Sequence, residues 1–185
     1  TPTFLFCAKV EEKKRPMDLL RAVELAVPRL RESNQDIHIL MVGDGDLRLQ
    51  CEQYVQQKAL PITFTGFMNQ SKIIAAYVAA DCLVLPSDFG ETWGLVVNEA
   101  MACGSPAIVS DRVGCHPDLI NPGQTGDMYP FGDYEALANK LVSSASQPEQ
   151  LRDMGIKAEQ VVADYSAEKI VEGCISAIKH VSSRK

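Results

Sequence analysis

An α/β fold built on a parallel sheet of about six strands is what this sequence predicts, and three observations carry that expectation. Short apolar stretches alternate with longer amphipathic ones along the whole chain, the order of a parallel sheet with crossover helices. Stretches such as "CLVLPS" are apolar at nearly every position, as in strands covered on both faces. At 185 residues the chain suits one sizeable core, so 1–185 is read as a single domain.

"TFLFCAKV" (Thr3 to Val10) reads as a buried first strand. Pro16 suits the first turn of the helix behind it, where Leu19, Leu20, Val23, Ala26, Val27 and Leu30 recur at three- and four-residue steps. Pro28 is expected to kink or shorten that helix. "IHILMVG" (Ile37 to Gly43) is the second strand, and "DGD" turns the chain into a helix from about Leu47 to Lys58. "ITFTG" (Ile62 to Gly66) is the third strand, a short helix from Ser71 to Ala79 follows, and "CLVLPS" (Cys82 to Ser87) is the fourth. "AIVS" (Ala107 to Ser110) makes a fifth, "GDMYP" a short edge strand, and three amphipathic helices close the chain. The last begins at Ser166, a good cap, with Glu168 in the first turn to complement the helix dipole.

Composition excludes several classes. The apolar share of 46% and charged share of 23% are ordinary for a soluble globular domain. A net charge of -6 argues against a general nucleic-acid or anionic-membrane surface. No apolar run approaches a membrane span and no signal-peptide order opens the chain, so a cytoplasmic location is expected. The six cysteines, Cys7, Cys51, Cys82, Cys103, Cys115 and Cys174, form no C-x-x-C pair and are expected to be reduced packing residues. His38, His116 and His180 are equally scattered, so no metal site is expected.

Parallel sheets bind ligands beyond the carboxyl ends of their strands, which directs attention to the loops after strands one, two and four. "VGDGDLR" (Val42 to Arg48) has a G-x-G turn, but Arg48 stands where a dinucleotide fingerprint needs its third glycine. Asp44 and Asp46 would repel a pyrophosphate, so a tight turn and helix start is the better reading. "SDFGETWGL" (Ser87 to Leu95) opens a helix whose first amides are free to meet an anion. Gly94 would let a diphosphate approach. Glu91 makes sense there as an acceptor for hydroxyls of the same ligand, and Glu99, two turns further along, as an acceptor for the 2′- and 3′-hydroxyls of a ribose. On spacing alone, a helix cap at Glu91 and a solvated Glu99 fit equally well. Lys9 and Lys14, in "AKVEEKKRP" after the first strand, bring two positive charges to the same edge, the support a departing diphosphate needs.

These residues resemble the carboxyl-terminal, donor-binding domain of family 4 (group 1) retaining glycosyltransferases with the GT-B fold. The resemblance rests on "AKVEEKKRP", "VGDGD", "FTGFM", "ADCLVLPSDFGETWGLVVNEAMACGSPAIVSD" and "GQTGDMYPFGDYEALANKL", and its E-x7-E element runs from Glu91 to Glu99. It implies a Rossmann-like three-layer sandwich, the C-terminal half of a GT-B fold. It also implies transfer, with retention, from a nucleoside-diphosphate sugar to a glycan, lipid or small-molecule acceptor, without a metal or other cofactor. Lys9 and Lys14 would hold the diphosphate, Glu91 the donor sugar, the amides around Gly94, Leu95 and Val96 the phosphates, and Glu99 the ribose, with Thr92 also among the donor-binding residues. Phe67 and Met68 would border the base. The family most often has arginine where Lys9 stands, so the charge is kept and the bidentate fork lost.

An amino-terminal acceptor domain is absent from the sequence, which reads as half an enzyme whose closing helices would touch the missing half. The half alone should bind donor without transferring sugar, and any contact with the inner membrane surface would belong to the missing domain. Two other readings stay open: a sugar-nucleotide 2-epimerase-like domain, and a non-catalytic nucleotide-binding module of a glycan-assembly complex. A phosphorylase would need a lysine for pyridoxal phosphate, and none lies between Lys72 and Lys140.

Overall fold

The first strand, β1 (Thr3–Cys7), lies inside the sheet with β2 (His38–Val42) on one side and β4 (Cys82–Leu85) on the other. β3 (Ile62–Gly66) extends the sheet beyond β2, while β5 (Ala107–Ser110) and β6 (Gly126–Tyr129) extend it beyond β4, giving the order β3-β2-β1-β4-β5-β6. Every pairing is parallel, so all six strands end at one edge. This computed structural model describes residues 1–183.

Strand alternation divides the core into two layers. Phe4, Phe6, Ile39, Met41, Val84 and Ile108 point to one face, covered by α1 (Pro16–Glu32), α2 (Arg48–Lys58) and α6 (Tyr134–Ser146). Leu5, Cys7, Val42, Leu83, Leu85 and Val109 point to the other, covered by α3 (Gln70–Ala79), α4 (Leu95–Ala102), α5 (His116–Leu119) and α7 (Pro148–Val162). The result is the Rossmann-like three-layer sandwich with a six-stranded parallel sheet, and β6 is the edge strand that "GDMYP" predicts. Burying a side chain the size of Leu83 or Phe4 stabilises the fold by about 1.5–3 kcal/mol, so the doubly covered central strands hold most of the stability.

The caps follow the sequence. Pro16 opens α1. Asn69 accepts from the Lys72 amide at the start of α3, one residue earlier than the pattern predicts. Ser166 caps α8 (Ala167–Ser182) by accepting from Lys169 N. Pro28 does not shorten α1, which continues through it to Glu32. Pro28 is exposed, so water can serve the carbonyl its missing amide leaves free, while buried Val27 and Leu30 hold the other side of the helix to the sheet.

The closing helices also differ from one another. α6 and α7 pack within this domain through Leu137, Leu141, Met154 and Ala158. Only α8 has no buried residue, and its Ile170, Val171, Ile175, Ile178 and Val181 are exposed. Cys174, on the same helix, is the exposed exception among cysteines otherwise wholly or partly buried; all six are free thiols. Among the described residues no helix is long and apolar enough to cross a membrane.

Candidate functional site

Three loops from the carboxyl edge of the sheet meet over β1 and β4. The loop after β1 turns through a short 3-10 segment, Glu12–Lys14, and enters α1 from Arg15, whose φ of 51° is left-handed. Arg15 is held away from the loops by Asp18 and Glu12, at 2.8 Å each, and lies against the Phe131 ring. Lys14 points the other way and pairs with Glu91, which also accepts from the buried Ser87 hydroxyl at 3.3 Å. Lys9 reaches Glu11 at 2.9 Å, and Lys13 reaches the same carboxylate at 3.4 Å. The Lys9 contact raises the pKa of its ammonium and lowers that of Glu11. Both lysines singled out in the sequence are therefore at the edge, each already facing a carboxylate.

Pairing with Lys14 removes a difficulty that the sequence leaves open. A bare carboxylate next to a diphosphate would repel it, but Glu91 carries its own counter-charge, and both side chains are largely shielded from water. Glu91 itself lies ahead of the helix rather than in its mouth, because α4 begins only at Leu95 with Gly94 as its cap. Glu99 is thus the fifth residue of α4, and neither glutamate caps it.

Gly94 is needed for a reason other than ligand approach. Its φ is 102°, and a Cβ there would point at Val113 Cγ1 (3.1 Å) and Leu85 Cδ2 (3.2 Å), into the core rather than toward the open edge. The anion-accepting feature remains the helix start. Val97 N already donates to Gly94 O at 2.8 Å, and the amides of Leu95 and Val96 find no backbone acceptor among the described residues. Thr92 is exposed beside them.

The loop carrying Glu91 is pinned from both sides. Asp88 N donates to Lys13 O at 2.9 Å, Gly114 N to Glu91 O at 2.9 Å, and Cys115 N to Trp93 O at 2.8 Å. Trp93 adds a bond from Nε1 to Asn98 Oδ1 and packs near the Tyr165 ring. The three backbone braces do not show in the sequence, because each joins loops that become neighbours only in the fold.

Beside the lysines, a cavity of about 410 Å³ opens over the ends of β1 and β2, walled by Cys7, Ala8, Gly43, Phe67, Met68 and Val96 among others. Phe67 is 79% exposed, a large aromatic face left in solvent after β3. The "VGDGD" glycines serve packing, as the tight-turn reading requires: a Cβ on Gly43 would lie 1.9 Å from Ala8 O, and one on Gly45 2.4 Å from Val10 O. Glu99, three residues after Val96 of this wall on α4, receives the Tyr77 hydroxyl at 2.5 Å. A larger opening of about 590 Å³ between α5 and α7 has a single lysine, Lys157, and lacks the paired glutamates.

A doubly wound parallel sheet with lysines, paired glutamates and a free helix start at its carboxyl edge defines a Rossmann-like domain of the GT-B type. The chain belongs to the family "Glycosyl transferases group 1", whose model matches residues 1–161. It is 34% identical over 144 residues to a phosphatidyl-myo-inositol mannosyltransferase of Mycobacterium leprae, an alignment covering 76% of this chain and 36% of that protein. Among solved structures, a sucrose-phosphate synthase from Thermosynechococcus elongatus superposes with a TM-score of 0.82 at 27% identity, over 100% of this chain and 46% of the other. Anabaena HepE in complex with UDP shares the fold with a TM-score of 0.79 at 20% identity, over 98% of this chain and 48% of the other. The chain therefore spans less than half the length of these proteins.

Proposed function

We propose that this chain is the donor-binding half of a retaining glycosyltransferase, which moves a sugar from a nucleoside-diphosphate sugar to a glycan, lipid or small-molecule acceptor. The acceptor-binding half lies in the part of the protein that the chain does not include. The observation that carries this reading is the convergence of Lys14, Glu91 and the start of α4 beside the cavity under Phe67. The name of the mannosyltransferase relative and the UDP in the HepE structure support it.

In this reading the base occupies the cavity against Phe67 and Met68, and Glu99 takes the ribose hydroxyls. The diphosphate meets Lys9, Lys14 and the Leu95 and Val96 amides next to Thr92. Glu91 exchanges part of its contact with Lys14 for hydroxyls of the sugar. As the sugar–phosphate bond lengthens, negative charge grows on the diphosphate and positive character on the sugar, so the same ion pair stabilises both ends of the breaking bond. Fixed protein charges supply this stabilisation, and no metal is required.

The direct test is thermal. With UDP, GDP or ADP at about 100 times its dissociation constant, one of the three should stabilise the chain by roughly 2.7 kcal/mol. At roughly 2–4 °C per kcal/mol for a domain of this size, that is a rise in Tm of several degrees. The rise should be the same with and without magnesium. No shift with any of the three, or a shift that needs magnesium, would overturn the site as described.

Glu99 gives a second test. Glu99→Ala should weaken a ribonucleoside diphosphate by about 10-fold or more, the scale of one charge-assisted hydrogen bond, and leave the 2′,3′-dideoxy counterpart nearly unaffected. Equal losses in calorimetry would make Glu99 a structural residue.

A further inference from the structure

We propose that Tyr77, a residue of α3 that touches no ligand, is the positioning residue that sets Glu99 for the ribose, an inference that rests on the donor-binding reading above. Tyr77 is 2% exposed, with its ring packed in the core layer under α3 and α4. Its hydroxyl reaches out of that core to Glu99 Oε2 at 2.5 Å, and the same hydroxyl oxygen of Tyr77 lies 3.4 Å from Cys7 Sγ. A phenol has one proton and cannot give it to both. The charged carboxylate is the stronger acceptor and lies at the shorter distance, so the proton goes to Glu99. Burial, followed by these two contacts, raises the phenol above its ordinary pKa, which keeps the proton on it for donation.

Glu99 needs such a partner because of where it stands. It is exposed on α4, and a glutamate there has three rotatable bonds and no reason to keep one rotamer. The bond from Tyr77 ties down Oε2 and leaves Oε1 free for the ligand. The carboxylate therefore offers the ribose one whole oxygen and part of the other, rather than the two free oxygens that the sequence suggests. Cys7 also belongs to the wall of the 410 Å³ cavity, so the tie between α3 and α4 is anchored at the place where the base is expected. Pre-setting a side chain of this kind removes its ordering cost from the binding step, which for a glutamate corresponds to about a 10-fold gain in affinity.

Tyr77→Phe isolates the hydroxyl. It keeps the buried ring, and the groups it deserts are a thiol and a carboxylate open to water, so no buried charge is stranded and the melting temperature should hardly move. The experiment is calorimetry on the wild-type chain, Tyr77→Phe, Glu99→Ala and the double variant. Each is titrated with whichever of UDP, GDP or ADP raises the melting temperature most, and with its 2′,3′-dideoxy counterpart. Expected are an affinity loss of about 10-fold for the ribonucleotide with Tyr77→Phe, a change of less than about twofold for the dideoxynucleotide, and no further loss in the double variant over Glu99→Ala. If Glu99→Ala discriminates against the ribonucleotide but Tyr77→Phe does not, or if Tyr77→Phe weakens both nucleotides equally, Tyr77 only packs, the proposal fails and the donor-binding reading stands. If Glu99→Ala itself shows no preference for ribose, the role of Glu99 fails and the proposal with it.

Discussion

Glu91→Gln is expected, on the donor-binding reading proposed above, to lower sugar transfer by the full-length protein by about 10²-fold or more, while the affinity of this chain for a bare nucleoside diphosphate stays equal or rises. The substitution keeps the size of the side chain and one acceptor oxygen, so hydrogen bonding from Ser87 survives. The negative charge is lost, and with it the attraction to a sugar that becomes cationic as its bond breaks, an interaction strongest in the transition state. The same loss frees Lys14 from its internal partner, leaving its full charge for the diphosphate. The two effects have opposite signs and separate the sugar role of Glu91 from a bracing role. A collapse of diphosphate affinity with unchanged turnover at saturating donor would assign Glu91 to the architecture of the loop instead.

Gly114→Ala should be a damaging small substitution at the loop that carries Glu91. The added Cβ would lie 1.9 Å from Thr92 O and 2.4 Å from Thr92 C, backbone against backbone, where no side chain can rotate aside. The two loops must part, and the bonds from Gly114 N to Glu91 O and from Cys115 N to Trp93 O weaken together. The expected cost is about 1–3 kcal/mol of stability, as for overpacking elsewhere. Affinity for the sugar-bearing donor should fall more than affinity for the bare diphosphate, since Glu91 moves while Lys9 and Glu99 do not. A melting temperature equal to that of the wild type would mean that the loops separate freely and that the brace is unimportant.

The sequence makes the sheet legible because parallel strands buried on both faces leave apolar runs that no other element imitates: "TFLFC" and "CLVL" are strands in the structure as in the pattern. Lys9, Lys14, Glu91 and Glu99 are visible in the sequence as charges on loops that follow apolar strands, although on spacing alone a cap at Glu91 and a solvated Glu99 fit equally well. What pairs with what was hidden. Tyr77 sits at an ordinary core position of an apolar helix, and nothing in its spacing says that its hydroxyl emerges at Glu99. The need for Gly114 arises from a contact with Thr92, a neighbour only after the chain has folded. Gly94 shows the opposite failure, since the residue was noticed but the reason was not: its backbone angle and the packing of Val113 and Leu85 require a glycine whether or not a ligand comes. That Pro28 does not end α1 could not be read from the sequence, because water can serve the carbonyl it orphans only where the residue is exposed, and exposure is a property of the fold.

The place of β1 inside the sheet also governs the order in which the molecule can assemble. Phe4 and Leu5 pair with Ile39 and Leu40 on one side, but on the other they must wait for Cys82 and Leu83. Between the appearance of these two neighbours on a ribosome, at about 5–20 residues per second, several seconds pass in which one edge of an apolar strand has unpaired amides and carbonyls. That edge is a template for any other extended chain nearby. Closing a loop of this length adds little to the equilibrium cost, because the entropy grows only with the logarithm of length. The burden falls on the rate: folding should be slow for the size of the domain, and its yield should depend on how crowded the nascent chains are until β4 has been made.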